Sequence, residues 1–341
     1  MPGLGSGPGS DADAVQRAHV ARLGALDAAL APQRALDPAA GSWHAVGRPD
    51  GSSGVGVSTV TEVAADAPVA TFRALREHRL RGRVAGPDVR GALGDLLDGW
   101  GSAVAGTHAE PSTDDVLAVT WPSRDVEAVS ALLDRGFAPT SVLAVRQLST
   151  RADGPRAPGP TGVRVRDAVP ADADAVVALQ LAELGYDALV GSARLRAATP
   201  SVLAAAVPGV IARPATTLLV AEVDGEPVGV VGVDDPSIAS EASAALVHDR
   251  VAYVVVLHVD AAARGRGVGR LLVDAALERV GRSLDVGAGG SAAVALHHSA
   301  LNPLSAPFWA RSGFRPVLTS WERPTAPAWA PVSARTRSLV P

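Results

Sequence analysis

The run Tyr253-Val-Val-Val-Leu-His-Val259, followed by Arg264-Gly-Arg-Gly-Val-Gly-Arg270, decides how the second half of this 341-residue chain is read. The first piece is a continuous apolar run of strand length, as a strand buried on both faces requires. The second opens a stretch with helical spacing, in which Leu271, Leu272, Ala275, Ala276 and Val280 fall on one side. Strand, glycine-rich turn and helix together make an anion cradle. Glycines at 265, 267 and 269 let the backbone approach a ligand closely. The free N–H groups of the first helical turn and the helix dipole then favour phosphate oxygens. Arg264, Arg266 and Arg270 add charge-assisted donors. A dinucleotide fold uses the same device, so the turn alone does not choose between ligands.

The surrounding pattern narrows the choice. Val163-Arg-Val-Arg166 alternates as a strand does, and a helix opens at Asp167 or Pro170 with Val176, Val177, Leu179 and Leu181 as apolar positions and Glu183 near its end. Residues 185–216 read as a mixed, mobile stretch. Two β-rich runs, 217–223 and 228–233, are joined by Asp224-Gly225, a strong hairpin signal. An Ala/Ser-rich insert covers 236–249. Beyond the glycine-rich turn come a short strand at 292–296, a short helix at 303–312 and a last strand at 314–321. The order predicts an α/β fold with an antiparallel hairpin early and parallel crossovers late. A dinucleotide fingerprint sits on a first βαβ unit, whereas this turn comes late.

Two blocks carry a family resemblance. Arg264, Gly267 and Gly269 match Arg/Gln-x-x-Gly-x-Gly/Ala, and Asn302-Pro-Leu-Ser-Ala-Pro-Phe-Trp-Ala-Arg-Ser-Gly-Phe314 follows about 30 residues later. In this order they resemble the pyrophosphate loop and the Asn-to-Gly-Phe helix of the GNAT family of N-acetyltransferases, over residues 163–323. The resemblance implies a mixed antiparallel/parallel central sheet flanked by helices, and acetyl-CoA or another acyl-CoA as co-substrate with no metal. It implies that the strand ending Leu257, His258, Val259 splays from its neighbour near Leu296 and pairs with the pantetheine arm. A backbone N–H near Val259 would hold the thioester oxygen. Gly265, Arg266, Gly267, Val268, Gly269 and Arg270 would hold the pyrophosphate with Arg264. Asn302 would reach the pantetheine or an ordered water, Ser305 would contribute to cofactor binding, Phe308 and Trp309 would pack beside the thiol, and residues 183–213 would lie over the acceptor pocket.

The chain departs from the family at two places. Many members carry a Glu four residues before the Val placed here at 259, and this chain has Val255. Many carry a Tyr where Trp309 stands, and an indole cannot act as an acid near neutral pH. Tyr253 and His258 are then the catalytic expectations, Tyr253 through water and His258 only if the strand bulges. Glu222, His297 and His298 are further candidates for the base. His297 and His298 do not make a metal pair, since adjacent strand residues face opposite ways.

The first half reads as a worn copy. Arg90-Gly-Ala-Leu-Gly-Asp-Leu-Leu-Asp98 resembles 264–274, and Leu132-Leu-Asp-Arg-Gly-Phe-Ala-Pro139 resembles 309–316, at offsets of about 175 to 177 residues. The first loop is two residues shorter, and Asp125 falls where Asn302 falls. A tandem of two copies is expected, the first no longer binding CoA well. The expected boundaries are a tail at 1–13, a GNAT-like domain at 14–150, a Pro/Gly-rich linker at 151–160, the acyltransferase domain at 161–323 and a tail from 324.

Composition limits the rest. A net charge of −4 gives no nucleic-acid footprint, and every one of the 31 basic residues is Arg. Without Cys there are no disulfides, thiolate metal sites or Cys nucleophiles. No run is long enough to span a membrane and no secretory leader opens the chain, so a cytoplasmic protein acting as monomer or homodimer is expected. The functions in view are N-acyl transfer to a small-molecule or peptide amine, a non-catalytic acyl-CoA-binding module, and a dinucleotide-binding oxidoreductase.

Overall fold

The computed structural model describes residues 10–106, 112–148, 161–239, 243–284 and 290–326. The expected linker at 151–160 lies outside them. So do residues 1–9 and 327–341 of the expected tails.

Eleven strands form one sheet in the order β1-β2-β3-β4-β11-β5-β10-β9-β8-β7-β6. The first half supplies helix α1 (Ser10–Leu26), β1 (Ser42–Gly47), β2 (Ser53–Glu62), β3 (Arg76–Ala85), α2 (Val89–Ala105), β4 (Asp115–Pro122), α3 (Val126–Asp134) and β5 (Ala138–Leu148). The second supplies β6 (Val163–Asp167), α4 (Ala173–Leu189), α5 (Thr199–Ile211), β7 (Thr216–Val223), β8 (Glu226–Asp234), β9 (Arg250–Val259), α6 (Val268–Ser283), β10 (Ala292–Ser299), α7 (Ser305–Arg311) and β11 (Arg315–Pro324). Helix α1 therefore opens at Ser10 rather than after residue 13, with Asp11 and Asp13 in a first turn that the helix dipole favours for acids.

The two halves repeat one order: β1-β2-β3-α2-β4-α3-β5 corresponds to β7-β8-β9-α6-β10-α7-β11. In each, the third and fourth strands run parallel over five residues and then part. Arg76–Leu80 pair with Asp115–Val119, and Arg250–Val254 pair with Ala292–Leu296. The last strands are exchanged: β11 lies against β4 of the first half, and β5 against β10 of the second, antiparallel in both cases. The cores follow. Trp321 of β11 is buried with Leu80, Trp100 and Phe137 of the first half, and Ala144 of β5 is buried with Leu272, Leu296 and Trp309 of the second. Of the crossovers expected late in the chain, β9 to β10 is parallel, whereas β11 returns antiparallel because its neighbours belong to the other half.

The exchange continues outside the sheet. After α1 the chain pairs with the β8–β9 connection, Leu30 bridging Leu246. After α4 it docks on the β2–β3 connection: Arg194 N–H donates to Thr71 carbonyl at 2.7 Å, and Arg196 reaches Ala70 and Arg73 carbonyls and Asp114. The stretch expected to be irregular at 185–216 instead completes α4 and forms α5. Gly185 sits in α4 with open space around its Cα, and Pro208 sits inside α5, two residues whose propensities argue against helix but which packing overrides. The Asp224-Gly225 hairpin forms as expected, with both residues at positive φ (52° and 86°), the primed turn that matches strand twist.

Candidate functional site

One irregularity builds the site. Along β8 and β9, Gly232 pairs with Val256 and Val233 with Val254, so Val255 is an extra, unpaired residue. A bulge of this kind reverses which face each later side chain takes. Before it, Ala252 and Val254 face α6; after it, Leu257 and Val259 do, while Val256 turns to the core under α4 and α5. His258 therefore falls on the α4 side, as Tyr253 does. β3 of the first half pairs with β2 over ten residues without a shift.

Past Val254 and Leu296, β9 and β10 splay, and a cleft of ≈480 Å³ opens between them, within the range of small-ligand sites. Residues 254–259 form one wall and 296–299 another. Gly265, Gly267, Val268, Gly269 and Arg270 form the floor, Asn302, Ser305, Phe308 and Trp309 close one end, and Glu183, Tyr186 and Asp187 of α4 lie across it.

At the floor, Gly265 and Gly267 have φ of 73° and 85°, a left-handed backbone that side chains disfavour. Gly267 is the N-cap of α6 and no side chain caps that turn, which borders the cleft. Gly269 gives room to Phe308, whose ring carbon would lie 3.4 Å from an added Cβ. Arg264 turns back, donating to Val259 carbonyl at 2.8 Å with its guanidinium 5.9 Å from the Tyr186 ring centre. Arg270 holds Asp274 and Arg311 carbonyl. Arg266 is exposed and is not a wall residue, because the positive φ at Gly265 and Gly267 on either side turns the chain there away from the cleft.

Asn302 accepts from the backbone N–H groups of Leu304 and Ser305 and donates to Asp187 Oδ1 at 3.0 Å, so it ties α7 to α4. Trp309 is buried edge-on between Phe308 and Phe314. Tyr253 is not a wall residue. Its hydroxyl lies 2.8 Å from Nδ1 of His297, which is. Burial and nearby Arg264 lower the pKa of buried His258, against Asp260, whose carboxylate is 3.9 Å away. Burial likewise lowers that of His298. Glu222 is bound to Arg166, which also holds Asp172, and does not border the cleft.

The resemblance places residues 183–213 over the acceptor pocket without singling out a side chain there, and the structure singles out three on α4. Glu183, Tyr186 and Asp187 are three and four apart, on one helical face. Desolvation, with Asp187 one turn away, pushes the Glu183 carboxyl up to about 8, against a hydrogen bond from the Leu257 backbone. Part of its surface opens to the cleft, and water there tempers the shift without reversing it. Desolvation raises Asp187 too. The available signal was two acids at i and i+4 in the last turns of the helix, away from the first turn where the dipole favours acids such as Asp174.

The second-half residues 181–314 match the family described as Acetyltransferase (GNAT) family. This segment is a GNAT domain. No curated protein matches the chain. Among solved structures, a GCN5-related N-acetyltransferase from Sphaerobacter thermophilus is 18% identical with a TM-score of 0.48, over 83% of this chain and 81% of that one. A tandem GNAT protein from the clavulanic acid biosynthesis pathway is 18% identical with a TM-score of 0.46, over 94% and 97%. A predicted acetyltransferase with acetyl-CoA from Clostridium acetobutylicum is 15% identical with a TM-score of 0.34, over 45% and 90%.

Outside the GNAT domain, the first half fills its own equivalent of this cleft. Counting past the extra Val255, Val84 corresponds to Val259, and its backbone N–H is already bonded to His19 Nδ1 of α1 at 3.2 Å. His19 packs edge-on against Trp121, and burial holds its pKa down at about 4. Asp125, in the place of Asn302, accepts from Trp121 Nε1 and Arg22, each at 2.8 Å. Asp88 caps α2 by accepting from Gly91 N–H at 2.7 Å, with Arg48 against it. A carboxylate thus occupies the helix end that the GNAT domain leaves open. Among the described residues no helix is long and apolar enough to cross a membrane, and no group of three acids or histidines could hold a metal.

Proposed function

We propose that the GNAT domain transfers an acetyl group from acetyl-CoA to a primary amine of a small molecule or peptide. The observation that carries this reading is the bulged, splayed cleft running into the uncapped N-terminus of α6. It supports a phosphate end at residues 267–270, a pantetheine arm along 255–259, and a thioester near Val259. The amine nitrogen attacks the thioester carbon, a C–N bond forms, and the C–S bond then breaks. The backbone N–H near Val259 holds the oxygen while it carries negative charge. CoA thiolate, with a thiol pKa of ~8.5 as for Cys, leaves without an acid, so Trp309 is no obstacle. Holding both substrates in one complex supplies much of the rate.

The test is thiol release from acetyl-CoA over a panel of primary amines, with the acetylated product identified by mass. Acetylation of an amine above the no-enzyme rate is expected. Acetyl-CoA binding without turnover of any amine would instead support a non-catalytic acyl-CoA-binding module, for which Val255 and Trp309, replacing the family's usual Glu and Tyr, are the motive. NAD binding in place of acetyl-CoA would overturn both in favour of an oxidoreductase.

A further inference from the structure

An amine that is protonated in water cannot attack a thioester until it loses a proton. The strand position where the family often carries a Glu is Val255, whose side chain sits against Gly232. The cleft has another carboxyl that no cation neutralises. Glu183 comes from α4, faces β9 where it has just bulged, and lies within hydrogen-bond reach of the Leu257 backbone. That is the strand segment that would flank the thioester, so a group there is beside the reacting atoms. Asp187, one turn on, is fixed by Asn302 and so is not free to swing toward the same atoms.

We propose that Glu183 is the general base of the GNAT domain, taking a proton from the acceptor ammonium as it enters the cleft. This rests on the acyl-transfer reading above. The step balances: the ammonium proton goes to the carboxylate, and the neutral amine attacks. The second N–H proton of the adduct leaves with the thiolate as CoA thiol, and the protonated Glu183 returns its proton to water.

The groups around Glu183 set its titration. On its own helix Asp187 opposes ionisation, and Tyr186 lies under the Arg264 guanidinium. From β9 comes His258 with Asp260 behind it, and from β10 come His297 and His298. β8 offers Asp234, bound to Thr216. α5 carries no ionisable side chain. The surroundings thus lean toward the neutral acid, and a carboxyl held near 8 is matched to accept a proton at working pH.

The test uses the full chain, Glu183→Gln, and two nucleophiles. One is an alkyl amine that the wild type acetylates; the other is an alkoxyamine, which is unprotonated at neutral pH and needs no base to free its lone pair. For the alkyl amine the variant is expected to lose about 100-fold or more, while the alkoxyamine rate changes by less than several-fold. The melting shift given by acetyl-CoA should be unchanged, which separates this from a misfolded or empty site. In carbon-13 NMR of glutamate-labelled protein, one carboxyl should titrate near pH 8 and vanish in the variant. Equal losses for both nucleophiles would overturn the assignment, as would no glutamate titrating above pH 7 or an alkyl-amine rate limb below pH 6.5, which would point to a histidine. Failure of acetyl-CoA to bind or to acetylate any amine would strike the function itself.

Discussion

Gly267 separates the phosphate cradle from every other part of the fold, and two substitutions there make different demands. Its φ of 85° is left-handed, so any other residue costs about 1–2 kcal/mol in stability. Gly267→Ala and Gly267→Glu carry that cost equally. Each should melt roughly 2–8 °C below the wild type, at about 2–4 °C per kcal/mol for a domain of this size. The ligand response then divides them. Acetyl-CoA at 100 times its dissociation constant stabilises the wild type by about 2.7 kcal/mol, a rise of roughly 5–10 °C. A glutamate placed about 5 Å from one phosphate charge adds about 3 kcal/mol of repulsion at an effective dielectric of 20. That is a loss of about 200-fold in affinity, and at the same ligand concentration the rise shrinks to under about 1 °C. Gly267→Ala adds no charge and should keep most of its rise. Thermal melting of the three proteins with and without acetyl-CoA decides the matter. A full rise in Gly267→Glu would mean that the phosphates do not sit on this turn, and the reading of the cleft would fall with it.

Three further outcomes follow from other contacts. Arg196 and Asp114 form a largely buried two-point ion pair that pins the α4–α5 connection to the first half. A double-mutant cycle to alanine should give a coupling of about 0.5–3 kcal/mol, with kcat/KM for the amine falling while the acetyl-CoA melting shift persists; loss of the acetyl-CoA shift instead would show that this connection supports the cofactor side. Asp125→Ala leaves Trp121 and Arg22 without their buried acceptor and should cost about 3–5 kcal/mol in urea unfolding, again with acetyl-CoA binding intact. Glu183 contributes to stability in the opposite sense from a paired acid. Its folded carboxyl is raised to about 8 from 4.5, so its contribution is full below pH 4.5 and is lost as pH climbs to 8. Glu183→Gln should therefore match the wild type at pH 4.5 and melt progressively higher than it toward pH 9; parallel curves would contradict the shift.

What the sequence displays are features fixed by a few neighbouring residues. Asp224-Gly225 specifies its turn because it is one of the few residue pairs that accept two positive φ values in succession. The glycine-rich turn at 264–270 was legible for the same reason, and Arg266 dropped out of the cleft because spacing alone does not say which arginine points inward. The bulge at Val255 left no trace: a run of consecutive valines has no polar alternation for an extra residue to interrupt. Helix α5 was hidden by Pro208 and by an apolar surface all round, and the last turn of α4, with Tyr186 and Asp187, by Gly185. The strand exchange was out of reach on principle. Local patterning makes β5 and β11 strands, but their partners are set by which half's edge completes a core.

The two halves differ at the equivalent clefts in ways that their shared order of elements does not reveal. Both bring a third and fourth strand together for five residues and let them part, so both make the wedge that a pantetheine arm could enter. Only the second inserts an extra residue where they part, and only the second leaves its helix end without a carboxylate. In the first, His19 accepts from Val84 N–H and Asp88 from Gly91 N–H, backbone donors that a ligand would otherwise take, and Asp125 accepts from Trp121. Each of those contacts adds stability to a half that holds the last strand and the α4–α5 connection of the other. A filled cleft is stiffer than an open one, because its buried donors are permanently paired and need no ligand to complete them. The first half thus supplies an edge strand, β4, and a docking surface to the second, while the cleft of the GNAT domain keeps an uncapped helix end and a carboxyl raised by burial.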